Sequence, residues 1–203
     1  TEPIDEDLVR HIALKSLVMY RKKYGKTYGE LVLADDSYNV WRKDIFPHYK
    51  ANRKKSRVKD TKDWGQIFDC ITVIRDELKE NFPYKYILVS KCEADDIIGT
   101  LCEKYGDTEN IMIISGDKDF QQLQRYKKVK QFSPITKSNI KLTQEQALEY
   151  LTDHIIGGDT GDGVPNCLSQ DDVFVSGLRQ RPLSKKKRTT IKDPLVMLSL
   201  IHI

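Results

Sequence analysis

The sequence predicts an α/β fold in which a mainly parallel sheet is flanked by helices. Short apolar strands alternate with amphipathic helical segments over the first 156 residues. Residues 111–114, Ile-Met-Ile-Ile, are apolar throughout, as expected for a strand that is covered on both faces. Acidic residues directly follow three of the strands, where open parallel sheets place their ligand sites.

The helices are predicted from apolar residues at spacings of three and four. Four helices are expected at 5–23, 63–81, 93–105 and 143–154, and a short helix is expected after residue 119. In the clearest of them the apolar positions are Trp64, Ile67, Ile71, Ile74 and Leu78, and in the first they include Val9, Ile12 and Tyr20. Asp63 and Thr143 are suited to cap two of these helices, and Gln146 completes a capping-box pattern with Thr143.

The strands are predicted from short apolar runs bounded by polar residues. Their expected bounds are 30–34, 86–89, 111–114 and 129–132. Residues 37–62 are polar, basic and aromatic and carry little periodic signal, and the chain becomes Gly-rich and then basic after Gly157. We therefore expect a core of residues 1–156, which includes the basic segment 37–62, and a smaller module at 157–197.

The composition excludes several classes of protein. The chain has 203 residues, of which 39% are hydrophobic and 32% charged, and this balance excludes wholesale disorder. Its apolar runs are far shorter than the roughly 20 residues that span a bilayer, so we expect no membrane protein. The four cysteines form no C-x-x-C pair, and we expect buried thiols in a reducing cytoplasm rather than a zinc site or disulfides.

The net charge of +4 conceals two strongly basic segments. Residues 42–62 contain nine Lys and Arg against two Asp, a local charge of +7. Residues 179–192 contain seven basic residues and no acidic one, so the remainder of the chain carries −10. Such segments on an acidic body indicate polyanion binding, and the alternative is a pair of solvated, flexible charge runs.

Carboxylates cluster at the predicted ends of three strands. They are, in chain order, Asp35, Asp36, Glu93, Asp95, Asp96, Asp117 and Asp119. Like charges at one sheet edge repel, and oxygen ligands without His or Cys suit Mg²⁺ or Mn²⁺. A surplus of carboxylates favours two ions, which clamp the attacking and leaving oxygens of a phosphodiester. For any one cluster, a helix cap or a turn remains the alternative.

Three motifs together resemble the 5′ nuclease family, which comprises flap endonucleases and 5′-to-3′ exonucleases. They are Glu93-Ala-Asp-Asp96, Ser115-Gly-Asp-Lys-Asp-Phe-Gln-Gln-Leu123 and Gly158-Asp-Thr-Gly-Asp-Gly-Val-Pro165. The segment from Trp41 to Arg53 is similar to the basic, arch-forming segment of that family. The likeness is greatest to the T-even phage ribonuclease H branch and extends from about Val9 to about Lys192.

The resemblance implies roles for individual residues. It implies a first metal group of Asp35, Glu93, Asp95 and Asp96, and a second of Asp117, Asp119, Asp159 and Asp162. The implied catalytic residues, which contact the scissile phosphate, are Lys50 and Arg53. The implied nucleic-acid contacts are Arg42, Tyr49, Lys54, Lys55, Arg57, Gly158, Gly161, Gly163, Lys185, Lys186, Lys187 and Arg188. A core aromatic position is the alternative for Tyr49, and a disordered loop is the alternative for residues 185–188.

The resemblance also implies an architecture and ligands. It implies a PIN-like 5′ nuclease core with a helical arch, followed by an incomplete helix–turn–helix-type module that binds duplex. The implied cofactors are two Mg²⁺ ions, for which Mn²⁺ substitutes, and the implied substrates are DNA and RNA–DNA duplexes with 5′ single-stranded ends. A phage single-strand binding protein and a sliding clamp are implied as partners of a monomer in the cytoplasm of an infected bacterium.

The sequence departs from this family at both ends. Family members begin with an apolar strand that carries a metal-binding Asp, and residues 1–8 do not fit that strand. We therefore expect a chain that is truncated at both ends, lacks one ligand of the first metal and has reduced or no activity. Residues 198–203 resemble translated sequencing-adapter sequence and are predicted to be non-native, the alternative being a genuine apolar helix end.

Three functions follow from these observations. The first is a metal-dependent 5′ nuclease that acts on flaps and RNA primers in phage DNA replication. The second is a non-catalytic protein that binds branched DNA, favoured by the expected loss of a metal ligand. The third is a PIN-type ribonuclease, against which the Gly158–Pro165 motif and the basic segment argue.

Overall fold

The computed structural model describes residues 4–58 and 60–192, without the side chains of residues 54–56. The predicted tail at 198–203 lies outside these residues. The helices are α1 (Glu6–Tyr28), α2 (Arg42–Ile45), α3 (Ala51–Val58), α4 (Trp64–Asn81), α5 (Ala94–Tyr105), α6 (Gln144–Gly157) and α7 (Lys185–Ile191). The strands are β1 (Val32–Asp35), β2 (Lys85–Leu88), β3 (Ile111–Ile114), β4 (Val129–Ser133) and β5 (Ser138–Ile140), and a 3₁₀ helix covers Asp119–Arg125.

The strands form two small sheets. β1 pairs with β2 in parallel, with Asp35 opposite Leu88. β3 pairs with β4 in parallel, and β5 adds to the far side of β4 in antiparallel orientation. The predicted α/β class with mainly parallel pairing is therefore confirmed, but the strands are divided between two sheets and β5 was not predicted.

A cavity of about 730 Å³ lies between the two sheets. Its walls come from β1, β3, α1 and α5 and include Leu33, Ile98, Cys102 and Ile113. Within the described residues, β1 and β3 each pair with a strand on one side only. No ladder of hydrogen bonds therefore joins the two sheets across this apolar cavity.

The predicted helix caps are present. The Asp63 side chain accepts a hydrogen bond from Gln66 N, and Thr143 and Gln146 form the predicted capping box. Two predicted inward positions are wrong, because Ile12 is 55% exposed and Ile71 is 42% exposed. Helix α1 has no fully buried residue, and α4 buries only Cys70 and Ile74. Among the described residues, no helix is both long and apolar enough to cross a membrane.

The main core cluster is formed by residues of α5, β3, the 3₁₀ helix and β4. It comprises Cys102, Ile113, Phe120, Leu123 and Val129. Burial raises the pKa of the Cys102 thiol to about 12, so this cysteine stays a neutral thiol. The prediction of buried cysteines holds for Cys70 and Cys102 but is wrong for Cys167, which is exposed.

Helices also form in two basic segments that carry little periodic signal. Helices α2 and α3 lie within the basic segment 37–62, and α7 lies within the basic segment 179–192. Arg188 and Lys192 hold α7 against α6 through Asp153, at 3.6 and 3.0 Å. The basic residues 185–188 are thus helical rather than part of an irregular loop.

Candidate metal centre and nucleic-acid interface

The fold brings carboxylates from four segments of the chain into one region. The segments are the end of β1, the start of α5, the loop after β3 and the Gly-rich turn after α6. They contribute Asp35, Asp36, Glu93, Asp95, Asp96, Asp117, Asp119, Asp159 and Asp162. Hydrogen bonds and electrostatic interactions link the segments to one another and to the basic segment 37–62.

Glu93 is the most deeply buried of these carboxylates, at 5% exposure. It is the N-cap of α5 and forms a capping box with Asp96, so the helix-cap alternative is realised here. Its oxygens accept hydrogen bonds from Lys50 Nζ at 2.6 Å, Arg42 Nη1 at 3.0 Å and Tyr49 Oη at 2.8 Å. Burial favours the neutral acid, but hydrogen bonds from Lys50 and Tyr49 outweigh it and lower the pKa of Glu93.

Arg42 binds the neighbouring carboxylate in a bidentate manner. Its Nη1 and Nη2 lie 2.8 and 2.7 Å from the two oxygens of Asp96, which also accepts from Trp41 Nε1 at 3.1 Å. The guanidinium stacks over the Trp41 ring at 4.8 Å. Burial opposes ionisation of Asp96, yet the hydrogen bond from Arg42 keeps its pKa below the usual value.

The basic segment is in direct contact with the Gly-rich turn. Lys50 N donates to Asp162 O at 2.7 Å, and Asn52 Nδ2 donates to Thr160 O at 2.8 Å. Arg53 forms an ion pair with the Asp162 carboxylate. Lys50 has a φ of +57°, in the left-handed region, and lies just before Asn52, which makes the second of these contacts. These contacts place the two predicted catalytic residues against the predicted second metal group.

Tyr49 is a buried aromatic residue that joins the two groups of carboxylates. It is 7% exposed, and its hydroxyl lies 2.8 Å from Glu93 and 2.9 Å from Asp162. Burial and the two carboxylates raise its pKa, so the hydroxyl stays protonated. This position favours the core-aromatic alternative over base stacking.

Asp35 is held by partners from two neighbouring elements. Its Oδ2 accepts hydrogen bonds from Arg75 on α4 and from the Tyr86 hydroxyl on β2. Asp36 accepts from Ala94 N at 2.7 Å and so fixes the end of β1 to the first turn of α5. Asp35 of the predicted first metal group thus already has a cationic neighbour, Arg75 on α4.

Asp95 and Asp117 form no ion pair among the described residues. Burial, followed by the nearby charge of Asp117, raises the pKa of Asp95 to about 6. Asp117 accepts from Asp119 N at 3.0 Å within the loop after β3. The buried Gln131 supports this loop by donating to Ser115 O at 2.9 Å and to Asp117 O at 2.6 Å. A cation in this region would relieve the repulsion between Asp95 and Asp117.

A histidine lies among the carboxylates of the second group. His154 Nε2 is 3.4 Å from Asp119 Oδ1 and 3.8 Å from Asp159 Oδ2. Ligand atoms of these three residues all lie within 4.8 Å of one another. Burial raises the pKa of Asp119, although His154 acts in the opposite direction. Together with Asp117 and Tyr150, they line a cavity of about 320 Å³.

The Gly-rich turn depends on its glycines. Gly158 has a φ of +67°, and a Cβ at this position would lie 2.4 Å from Pro165 backbone atoms. Gly163 also has a positive φ, of +75°. Gly161 N donates to Asp159 Oδ1 at 2.7 Å, which fixes that carboxylate in the turn. Contact of these glycines with a duplex backbone stays a prediction.

The remaining predicted nucleic-acid contacts are distributed over two helices. The guanidinium of Arg57 lies over the Phe68 and Trp64 rings, at 4.9 and 5.3 Å. Residues 185–187 are exposed in the first turn of α7, whereas Arg188 faces α6. Lys54 and Lys55 belong to α3, but their side chains lie outside the described part of the structure.

Sequence reasoning missed His154, Tyr150 and Arg75. His154 and Tyr150 are four residues apart on α6, and their rings stack at 5.7 Å with an interplanar angle of 12°. Two aromatic side chains on one helical face, just before an acidic Gly-rich turn, are the signal that was available. Arg75 lies on α4 among apolar residues, and only tertiary packing shows its proximity to Asp35.

The fold and the site define a class: α/β proteins with a carboxylate-rich centre beside parallel strands. A family model for the 5′-3′ exonuclease N-terminal, resolvase-like domain matches residues 9–152. The chain therefore belongs to the 5′-3′ exonuclease family. The matched residues end before His154 and the Gly-rich turn.

Curated relatives agree with this assignment. The chain is 37% identical over 178 residues to ribonuclease H of Enterobacteria phage T4, a match that covers 85% of this chain and 58% of the phage protein. It is 30% identical over 170 residues to flap endonuclease Xni of Shewanella denitrificans, covering 79% of this chain and 64% of that protein. The chain thus spans about three fifths of the length of these relatives.

Solved structures share the fold at low sequence identity. A bacteriophage T5 protein crystallised with metal ions has a TM-score of 0.69 at 19% identity, covering 96% of this chain and 82% of that one. The bacteriophage T5 flap endonuclease in complex with DNA and metal ions also has a TM-score of 0.69, at 21% identity, covering 94% and 70%. These similarities establish the fold.

Proposed function

We propose that this chain carries the catalytic centre of a 5′ nuclease that uses Mg²⁺ to hydrolyse phosphodiesters of 5′ flaps and RNA primers. The observation that carries the proposal is the contact between the carboxylate centre and the basic segment 37–62. The basic side chains that would bind a nucleic acid form ion pairs with the carboxylates that would hold metal ions. Membership of the 5′-3′ exonuclease family and the flap endonuclease and ribonuclease H relatives support it.

The donor set of the site fits divalent cations. Carboxylate oxygens from four segments converge, and the raised pKa of Asp95 reflects burial and repulsion that a cation would relieve. The residues that would hold two ions are Asp35, Glu93, Asp95 and Asp96 in one group and Asp117, Asp119, Asp159 and Asp162 in the other. Bound divalent ions supply Lewis acidity and an activated water for phosphodiester hydrolysis.

The basic side chains have a matching role in this proposal. Lys50 and Arg53 contact Glu93 and Asp162, so a phosphate next to these carboxylates would lie within their reach. They would bind its oxygens and stabilise the negative charge that grows during hydrolysis. Arg42 would add a planar, bidentate contact once a cation competes for Asp96. None of these side chains is placed to identify a base, so selection of structure rather than sequence is expected.

The biological setting is part of the same proposal. Similarity to a phage ribonuclease H favours removal of primers and flaps during phage DNA replication, in the cytoplasm of an infected bacterium. A monomer that works with a single-strand binding protein and a sliding clamp would fit this setting. Substrates are DNA and RNA–DNA duplexes with 5′ single-stranded ends.

Cleavage of a 5′-labelled flap duplex, with Mg²⁺ and with EDTA, tests the proposal. The variants are Asp117→Asn with Asp119→Asn, and Asp69→Asn with Asp76→Asn as a charge-matched control on exposed positions of α4. Although the sequence alone predicted reduced or no activity, the convergence of carboxylates from four segments leads us to expect Mg²⁺-dependent cleavage by the wild type and by the control, and its loss in the double variant of Asp117 and Asp119. Cleavage that persists in EDTA, or in the double variant, would contradict the proposal.

The two alternatives give different results in the same assay. The contacts of Arg42, Lys50 and Arg53 with carboxylates favour binding without cleavage as the second candidate. Retained flap binding with no cleavage under any divalent ion would support it. A preference for plain single-stranded RNA over the flap would instead support a PIN-type ribonuclease.

A further inference from the structure

A nitrogen donor lies within the second group of carboxylates. The oxygen-only pattern of the sequence motifs predicted a centre for Mg²⁺ or Mn²⁺, but the fold adds the nitrogen donor His154 from the last turn of α6. Its Nε2 is 3.4 Å from Asp119 Oδ1 and 3.8 Å from Asp159 Oδ2. The three side chains are each about 30% exposed, so the donors border solvent and are accessible to an ion.

Two of the three separations between these donors match a shared ion. Two ligands that each lie about 2.1 Å from one ion are separated by roughly 3.0 Å in adjacent positions and about 4.2 Å in opposite ones. The separations of His154 Nε2 from Asp119 Oδ1 and Asp159 Oδ2 fall within that interval, and all three donors lie within 4.8 Å of one another. The cavity of about 320 Å³ that these residues line leaves room for an ion and for water or phosphate ligands.

The ring of His154 is also held in a defined orientation. Tyr150, one turn earlier on α6, stacks against it with an interplanar angle of 12°. Gly158 N donates to His154 O at 2.9 Å, which ends α6 at the point where the Gly-rich turn leads to Asp159. The helix end, the turn and the stacked ring thus present Nε2 and the Asp159 carboxylate to the same space.

We propose that His154 is a metal ligand of the second group, where Asp119, His154 and Asp159 form a mixed nitrogen–oxygen site that prefers Mn²⁺, Co²⁺ or Zn²⁺ to Mg²⁺. Imidazole suits first-row transition ions, whereas Mg²⁺ is bound through carboxylates and water. The inference rests on the proposed function for the metal-binding role of the second group. It goes further by naming the residue that sets the metal preference.

Pulsed electron paramagnetic resonance of the Mn²⁺-loaded protein, without nucleic acid, tests this assignment. Nitrogen bound to Mn²⁺ produces ¹⁴N modulation of the electron spin echo, and oxygen ligands do not. We expect that modulation in the wild type and in His11→Gln, an exposed histidine on α1. We expect its loss in His154→Gln and in His154→Asn, two variants that retain a polar side chain and are checked for native circular dichroism.

Equilibrium titration provides a second measurement. The Mn²⁺ dissociation constant is expected to rise by roughly tenfold or more in His154→Gln, since loss of an outer-shell partner alone causes that much. The Mg²⁺ dissociation constant should change by less than about threefold, because Mg²⁺ depends on the carboxylates. A ¹⁴N signal that persists in both His154 variants, or unchanged Mn²⁺ affinity, would overturn the proposal in favour of a simple His–Asp ion pair.

Failure of this inference and failure of the proposed nuclease function are distinguishable. The spectroscopic test needs no substrate, so a nitrogen signal stands even if the flap is not cleaved. Conversely, Mg²⁺-dependent cleavage without any nitrogen signal would reject the role of His154 and leave the nuclease proposal in place.

Discussion

At the scale of single residues, the carboxylate centre is also an ion-pair network. Four basic side chains each form an ion pair with one of its carboxylates. The pairs are Arg75 with Asp35, Arg42 with Asp96, Lys50 with Glu93, and Arg53 with Asp162. A divalent ion and these side chains would compete for the same oxygens, because each oxygen has few lone pairs to share. Metal binding would therefore release Lys50 and Arg53 toward a phosphate, which couples the two halves of the proposed site.

Replacing Lys50 tests this coupling. Lys50→Met removes the ammonium group 2.6 Å from Glu93. We expect flap cleavage to fall by about 100-fold, the usual effect of losing one donor to a developing charge. Single-turnover rates with saturating enzyme provide the measurement. Lys43→Met, an exposed lysine on α2, removes the same charge from the same segment and should leave the rate within about threefold. Equal losses in both variants would show that the rate depends on the net charge of the segment and not on the position of Lys50.

The ionisation of Asp95 predicts a pH-dependent stability. Its pKa rises from 3.8 to about 6 on folding, so the folded chain holds a proton that the unfolded chain loses. The stabilisation of the folded state by this proton is fully present below about pH 4 and is lost as the pH rises through about 6. Asp95→Asn should therefore raise the free energy of unfolding by about 1 to 3 kcal/mol at pH 8.

Urea denaturation in EDTA at pH 4 and pH 8 measures that effect. The gain from Asp95→Asn should appear at pH 8 and disappear at pH 4, whereas Asp69→Asn should show no such difference. A gain of equal size at both pH values would mean that the negative charge of Asp95 does not destabilise the folded chain. The variant should also lose stabilisation by added Mg²⁺, because it lacks a proposed ligand.

Prediction from sequence worked for residues in local motifs and failed for residues joined by packing. The carboxylates were located because each follows a strand or lies in a Gly-rich motif. His154 was not, because its approach to Asp119 depends on how α6 packs against the 3₁₀ helix. Tyr49 shows the same limit, since only the folded chain reveals that its hydroxyl lies between Glu93 and Asp162.

At the scale of secondary-structure elements, apolar patterning located the strands of both sheets and left other elements unseen. Strands β1 to β4 are short apolar runs, and each was placed to within two residues. Strand β5 contains a single apolar residue, Ile140, and exists through its pairing with β4. Helices α2 and α3 are polar, and α3 lies beside the Gly-rich turn through contacts such as Asn52 with Thr160. Periodicity does not report contacts of this kind.

The Gly-rich turn is an element whose geometry can be tested directly. Gly158→Ala combines a left-handed backbone, φ +67°, with a Cβ that would lie 2.4 Å from Pro165 backbone atoms. We expect a loss of roughly 3 kcal/mol or more in the free energy of unfolding, because backbone cannot yield to the clash. Chemical denaturation measures it, and Mn²⁺ affinity should fall with it, since the turn carries Asp159.

Gly177→Ala is the matched control for that variant. Gly177 has a similar φ of +70°, but a Cβ there would meet nothing within 4 Å. Its cost should be only the left-handed strain, about 1 to 2 kcal/mol. Equal losses in the two variants would show that strain alone, and not the contact with Pro165, makes the glycine necessary.

At the scale of the whole molecule, charge is segregated. The carboxylate centre binds Arg42, Lys50 and Arg53 of the basic segment 37–62, whereas Lys43, Arg57 and Lys62 of that segment are exposed. Residues 185–187 on α7 are exposed, while Arg188 and Lys192 are engaged with α6. These three lysines are therefore a further group of accessible cations, and we expect them to bind a duplex backbone whatever the base sequence.

Salt dependence of binding provides the test at this scale. Changing Lys185, Lys186 and Lys187 together to Gln should reduce the slope of log affinity against log salt by up to about 2.7, because each phosphate contact contributes roughly 0.9. The control changes Lys15, Lys22 and Lys26 on α1, which contributes no residue to the site, and removes the same charge. If α7 contacts phosphates, only the first variant lowers the slope, whereas equal changes would mean that binding responds to net charge alone. Fluorescence anisotropy with a labelled flap duplex in EDTA separates binding from cleavage, so the result is independent of the metal centre.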